Sequence, residues 1–308
     1  FLVAAGLVVG TAYVPPADGE TVAPAPSLLE VVQDAHRIVM LGDSITYDGR
    51  WIAMLKAWME SRRMTAEVID LGLPSETVSG LSEDGHAGGQ FPRPDLAERL
   101  DRVLHVARPD LVMACYGMNC GIYQPLDQGR FAKFKAGIEH LHATVEQSGA
   151  RILHLTPPMY DMRPDHPGPA GGTDYDAVLE AYSTWLLSKR ADGWLVIDVH
   201  GPMKTMLASA RATDPTAVFS PDTIHPDEAG HWAMARAVLV GLGDRTAAEA
   251  ETPAAYTAIL PDVTVRLHLL RDAYLAAAGH LRPGIPAGLP IGEAESKARA
   301  ITESIRSR

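Results

Sequence analysis

Between residues 37 and 199, short apolar runs rich in β-branched residues alternate with longer stretches of helical periodicity. The runs are Arg37 to Leu41, Ala66 to Leu71, Asp110 to Tyr116, Arg151 to Leu155 and Trp194 to Val199. Each is bounded by glycine, proline or polar residues, as strands buried on both faces are. The segments Trp51 to Arg63, Asp95 to Ala107, Arg130 to Ser148 and Tyr175 to Arg190 read as helices. In the last of them Val178, Leu179, Tyr182 and Leu186 share one face. A further helix is expected from Pro226 to Leu242, with proline in its first turn and Asp227 and Glu228 at its positive end. The alternation predicts an α/β domain, a five-stranded parallel sheet with helices on both faces.

The pattern changes at both ends. Beyond Gly243, the residues Leu260, Val263, Leu267, Leu270, Tyr274 and Ala277 fall three or four apart, and Gly279 stops the stripe. After a loop from Arg282 to Pro290, Ala294, Ala298, Ile301 and Ile305 repeat it. Residues 244–308 therefore form a C-terminal helical extension, packed on the main domain of 27–243 or on a second subunit as a homo-oligomer contact. The chain opens on an apolar run, Phe1 to Ala12, followed by a Pro-rich stretch to Pro26. The run is far shorter than the ~20 residues a bilayer requires. Residues 1–26 read as a signal-peptide remnant and linker, which implies an exported, periplasmic or extracellular protein with no integral membrane domain in the mature chain.

Composition narrows the function. Apolar residues make up 46% and charged residues 21% of the 308, the balance of a globular chain and not of a disordered one. With 27 Lys and Arg against 38 Asp and Glu, the formal charge is −11, which disfavours nucleic acid as a partner. Cys115 and Cys120 are too few for a disulfide framework and lack zinc-ligand spacing, so free thiols are expected.

The chemistry gathers at strand ends. The first strand runs into Gly42-Asp43-Ser44, which sets a serine at the carboxyl edge of a parallel strand, where open α/β sheets bind ligands. The second strand ends at Asp70-Leu71-Gly72 and the third at Gly117-Met118-Asn119. If the strand order is 2-1-3-4-5, Gly72 and Asn119 flank Ser44. The N–H groups of Ser44 and Gly72 and the side-chain amide of Asn119 would then supply an oxyanion hole. Downstream, Asp222 stands three residues before His225 in a tight turn, close enough to hold one ring nitrogen and leave the other as a base. Asp198 and His200, two apart on the fifth strand, form a weaker alternative pair. Asp43, His86 in its glycine-rich loop, and Arg93 are candidate substrate contacts.

With these four pieces in this order, the sequence resembles the SGNH hydrolase superfamily, the GDSL-type esterases. Gly42-Asp43-Ser44 matches the first block, Gly72 the second, Gly117-Met118-Asn119 the third and Asp222-Thr223-Ile224-His225 the last. The resemblance covers residues 37–242 and implies a flavodoxin-like three-layer α/β/α sandwich with a Ser44–His225–Asp222 triad. Three positions depart from the family pattern: Asp70 where Asn is frequent, Ser75 where a second glycine is common, and Cys120 where Asp often follows the Asn. The stretch Tyr116 to Gln124 and the C-terminal helices resemble a bacterial subgroup linked to carbohydrate deacetylation.

The implied enzyme hydrolyses small-molecule or glycan esters and needs neither metal nor organic cofactor. The loops 72–94 and 156–174 are rich in glycine, proline and polar residues, which favours a short acyl group, such as acetyl, on a polar alcohol. A short-acyl thioesterase or lysophospholipase-like esterase is the alternative within enzymes. A carbohydrate-binding protein that lost turnover is the alternative outside them.

Overall fold

The structure, a computed structural model, describes residues 26–307; the expected signal-peptide remnant and the linker up to residue 25 lie outside the described residues. Five parallel strands, β1 (Arg37–Gly42), β2 (Glu67–Asp70), β3 (Leu111–Cys115), β4 (Arg151–Leu155) and β5 (Leu195–Ile197), form one sheet in the order β2-β1-β3-β4-β5. This is the flavodoxin-like arrangement. All five runs read from the sequence are strands; β3 is buried throughout and β1 at every position but Arg37, as a sheet covered on both faces requires.

The helices are α1 (Leu28–Asp34), α2 (Ser44–Asp48), α3 (Arg50–Ser61), α4 (Leu100–Ala107), α5 (Gln128–Gln147), α6 (Tyr175–Ser188), α7 (His200–Thr213), α8 (Glu228–Gly241), α9 (Arg245–Glu249), α10 (Leu260–Ala278) and α11 (Ile291–Arg306). The expected start of α8 at Pro226 is corrected: Asp227 is its N-cap, its side chain accepting from Gly230 N. The side-chain cap supplies the start that a first-turn proline was expected to give. The reading of Asp198 and His200 as neighbours on one strand is also corrected. β5 stops at Ile197, Asp198 Oδ1 accepts from Gly201 N at 3.2 Å, and His200 opens α7.

The C-terminal extension packs on its own domain. α10 lies against α3, α4 and β2, with α11 behind it, and Val263, Leu267, Leu270 and Tyr274 are buried there. It also reaches the turn after Ser44: Arg271 Nη1 donates to Tyr47 O at 2.6 Å, and His268 Nε2 lies 3.1 Å from Asp48 O. Cys115 and Cys120 are free and buried. No helix among the described residues is long and apolar enough to cross a membrane.

Candidate active site

Strand pairing puts Gly42 beside Cys115, so the chain leaves β1 at the carboxyl edge between the β2 and β3 loops. A side chain at Gly42 would collide with Thr46 and with Cys115 O, so only glycine lets the turn into α2 close this tightly. Asp43 is buried and caps α2, its Oδ1 accepting from Ile45 N at 3.0 Å. Burial pushes its carboxyl up to about 6, against that hydrogen bond. Its place is inside the turn, where only 3% of it is exposed, and not at the surface where the expected substrate contact would be made.

Ser44 Oγ lies 2.8 Å from His225 Nε2. On the other side of the ring, Nδ1 lies 2.7 Å from Asp222 Oδ2. Asp222 Oδ1 accepts from the backbone N–H of Ile224 at 3.0 Å and of His225 at 2.7 Å, which closes the turn on itself. Partial burial would raise the Asp222 carboxyl, but the hydrogen bonds from the His225 ring and these N–H groups outweigh it and hold it below its usual range. An ionised Asp222 fixes Nδ1 as the protonated nitrogen, which leaves Nε2 facing the serine as an acceptor.

The loop after β2 departs from expectation. Gly72 N donates to Asp70 Oδ1 at 2.9 Å, so the N–H assigned to the oxyanion hole is already engaged. Gly72 instead serves packing, since a Cβ there would run into the backbone of Thr46 and Tyr47. Three residues on, Ser75 adopts φ 70, the left-handed conformation a glycine takes without cost, and its N–H has no hydrogen-bond partner among the described residues. The next residue places this segment beside the third loop: Asn119 Nδ2 donates to Glu76 O at 3.3 Å. Asn119 Oδ1 accepts from Arg93 Nη1 at 2.9 Å and from Tyr123 OH at 3.0 Å, and two donors on one side fix which end of the amide is oxygen. Only one Nδ2 hydrogen is thereby engaged.

Arg93 is almost wholly spent on structure. It pairs with Glu83 at 2.6 and 2.7 Å, stacks over the Tyr123 ring and is 9% exposed, which leaves no free face for substrate. His86 Nδ1 lies 3.2 Å from Glu83 Oε1, while its Nε2 has no partner. These contacts join four residues in a chain, His86–Glu83–Arg93–Asn119, from the glycine-rich loop to the amide.

Several supporting residues carry no motif. Glu76 and Arg99 form a buried two-pronged pair at 2.6 and 2.7 Å; Tyr116 OH donates to Glu76 Oε2 at 2.6 Å and Arg99 Nη2 to Leu71 O at 2.7 Å. Asp161 holds the histidine loop: its Oδ2 accepts from Phe219 N at 2.8 Å and Ser220 N at 3.1 Å, its Oδ1 from Arg211 at 2.6 Å, and its own N–H donates to Thr223 O at 2.9 Å. Thr223 sits at φ 76, a strained conformation for a β-branched residue that its surroundings must enforce. Single charges far apart in sequence gave no signal for these partners.

Residues 40–233, well over half of the chain, match the model of the GDSL-like lipase/acylhydrolase family. The chain belongs to that family. Membership in the GDSL-like lipase/acylhydrolase family bears out the expectation of a serine ester hydrolase. Solved structures agree on the fold. A gut microbial diltiazem-metabolizing enzyme is 21% identical with a TM-score of 0.56, over 68% of this chain and 47% of that one, so the chain spans about half of its length. An alpha/beta hydrolase enzyme from the metagenome of Lake Arreo, Spain, is 23% identical with a TM-score of 0.52, over 69% of this chain and 98% of that one. An acetyl xylan esterase is 19% identical with a TM-score of 0.50, over 66% of this chain and 98% of that one. No curated protein matches the chain.

Proposed function

We propose that the protein hydrolyses short-acyl, chiefly acetyl, esters of a carbohydrate through Ser44, His225 and Asp222. The observation that carries the proposal is the unbroken line from Ser44 Oγ to His225 Nε2 at 2.8 Å and from His225 Nδ1 to Asp222 Oδ2 at 2.7 Å. His225 takes the Ser44 proton as Oγ attacks the ester carbonyl, then returns it to the departing alcohol; water repeats the sequence on the acyl-enzyme. The oxyanion falls to the N–H of Ser44 and the Asn119 amide, with the N–H of Ser75 in place of that of Gly72, because the latter is held by Asp70.

Two features support the short acyl group and the polar alcohol. The polar, glycine-rich segment from Ser82 to Pro92 is tied to Asn119 through Glu83 and Arg93. A structure of similar fold carries the name acetyl xylan esterase. The test compares kcat/KM on acetylated xylo-oligosaccharides, p-nitrophenyl acetate, p-nitrophenyl decanoate and an acetyl thioester. Acetyl sugars are expected to be the best substrates. Faster turnover of the decanoate or of the thioester would overturn the substrate assignment.

A further inference from the structure

Away from the triad, beyond the carboxyl end of β5, α6 and the first turn of α7 bring together Asp176, Glu180 and His200. Each offers a donor atom within 4.8 Å of those of the other two. Asp176 and Glu180 are one helical turn apart on α6 and so face the same way. His200 is 2% exposed, and neither of its ring nitrogens has a hydrogen-bond partner. A buried imidazole without a partner is costly and calls for a ligand. Its Nε2 points at the cluster, 3.8 Å from Asp176 Oδ1. Donor atoms on a tetrahedral zinc-type ion, at bond lengths near 2.0–2.2 Å, lie roughly 3.3 Å apart, so His200 and Asp176 need close by only about half an ångström and the widest separation in the set by at most about 1.5 Å, within reach of side-chain rotation.

We propose that Asp176, Glu180 and His200 bind a transition-metal dication of the zinc type, tying α6 to α7. One imidazole with two carboxylates suits zinc or cobalt, whereas calcium and magnesium favour oxygen-only sites. Burial pushes the His200 imidazole toward its neutral form, which is the form that ligates. The seat already attracts a cation: Lys204 Nζ lies 2.8 Å from Asp176 Oδ2 and 2.9 Å from Glu180 Oε2. That side chain is 37% exposed and long enough to swing out when a metal enters. Asp198 lines the same shallow pocket but is engaged by Thr156 Oγ1 and Gly201 N, and it is not counted as a ligand. Asp176 Oδ1 also accepts from Tyr160 N at 2.9 Å, next to Asp161, so the ion would stiffen the support of the histidine loop without touching the triad.

The inference does not rest on the ester-hydrolysis reading. Full-length protein, stripped with a chelator, would be titrated calorimetrically with Zn²⁺ and followed by visible absorption with Co²⁺. One zinc per chain is expected, with a metal-dependent rise in Tm. His200→Ala should weaken binding by roughly 100-fold or more, beyond the ~10–100-fold typical of losing an outer partner of a metal ligand. Glu180→Gln, at an exposed position that the fold tolerates, should also weaken it, and Lys204→Met should tighten it on the order of tenfold by removing a competing cation. No zinc binding by the wild-type chain, or binding unchanged in both His200→Ala and Glu180→Gln, would overturn the proposal.

Discussion

The serine side and the histidine side of the site are built by different physics. Ser44 leaves a buried strand into a turn that has no room for a side chain at Gly42 or Gly72, beside a loop locked by the interior Glu76–Arg99 pair. Asp222 and His225 stand on a segment without strand or helix, with side chains 55% and 48% exposed. That segment is held in its strained turn by backbone N–H groups donating to Asp161, by Arg163 on the carbonyls of Ser220 and Pro221, and by Arg50 on the carbonyl of Pro226. Packing and a buried ion pair therefore fix Ser44, the proposed nucleophile, while polar bonds to the backbone fix His225, the proposed base. Damage on the first side should appear as lost stability, and damage on the second as lost turnover.

The largest contrast should come from Arg99→Met. Side chains 1% and 0% exposed place this pair among buried ones, and removing one partner strands Glu76 in the interior at a cost of about 3–5 kcal/mol. Chemical denaturation should read that loss. Next, Asn119→Ala removes the proposed oxyanion donor at a position the Glu76 loop also contacts; kcat should fall by about 10²–10³ with little change in KM, measured on p-nitrophenyl acetate.

Asp161→Asn tests the other side. The amide cannot accept from both Phe219 N and Ser220 N while still accepting from Arg211, so the histidine turn should loosen. A fall in kcat of roughly tenfold to 10²-fold with a nearly unchanged Tm is expected, in line with what small misplacements of a catalytic group cost. A large drop in Tm with kcat preserved would erase the contrast between the two sides.

The smallest effect belongs to Asp70→Asn. Burial pushes the Asp70 carboxyl up to about 7, against the Gly72 N–H and nearby arginines, whereas an unfolded chain titrates it near 3.9, about its ordinary value. Between those values the native chain holds the extra proton. Stability from this group is therefore full below about pH 4 and is lost as pH rises through about 7. Asparagine keeps the acceptor for Gly72 N without the charge, so Tm should rise by a few degrees at pH 8 and change little at pH 4.

How much of this was legible in the sequence also divides along local lines. The five strands follow from contiguous apolar runs and the Ser44–His225–Asp222 set from short motifs, because such signals are local, whereas the strand order came with the family resemblance. α7 has little sequence signal: its buried stripe is only His200, Met203 and Leu207, and near its start stand Gly201 and Pro202, poor helix formers except in a first turn. The role given to Gly72 failed for a similar reason. Which N–H of the Gly72 to Ser75 loop stays free depends on the Asp70 carboxylate and on a left-handed Ser75, and neither is visible in residue types. Pairings such as Glu76 with Arg99, or Asp161 with residues 219 and 220, are set by the tertiary fold alone.

The most direct test of the account is covalent labelling with a fluorophosphonate, followed by intact mass and peptide mapping. One adduct per chain is predicted, on Ser44, absent in Ser44→Ala and formed at least ~100-fold more slowly in His225→Ala, because the hydroxyl is a weak nucleophile without its base. An adduct on another residue, or a labelling rate indifferent to His225→Ala, would contradict it.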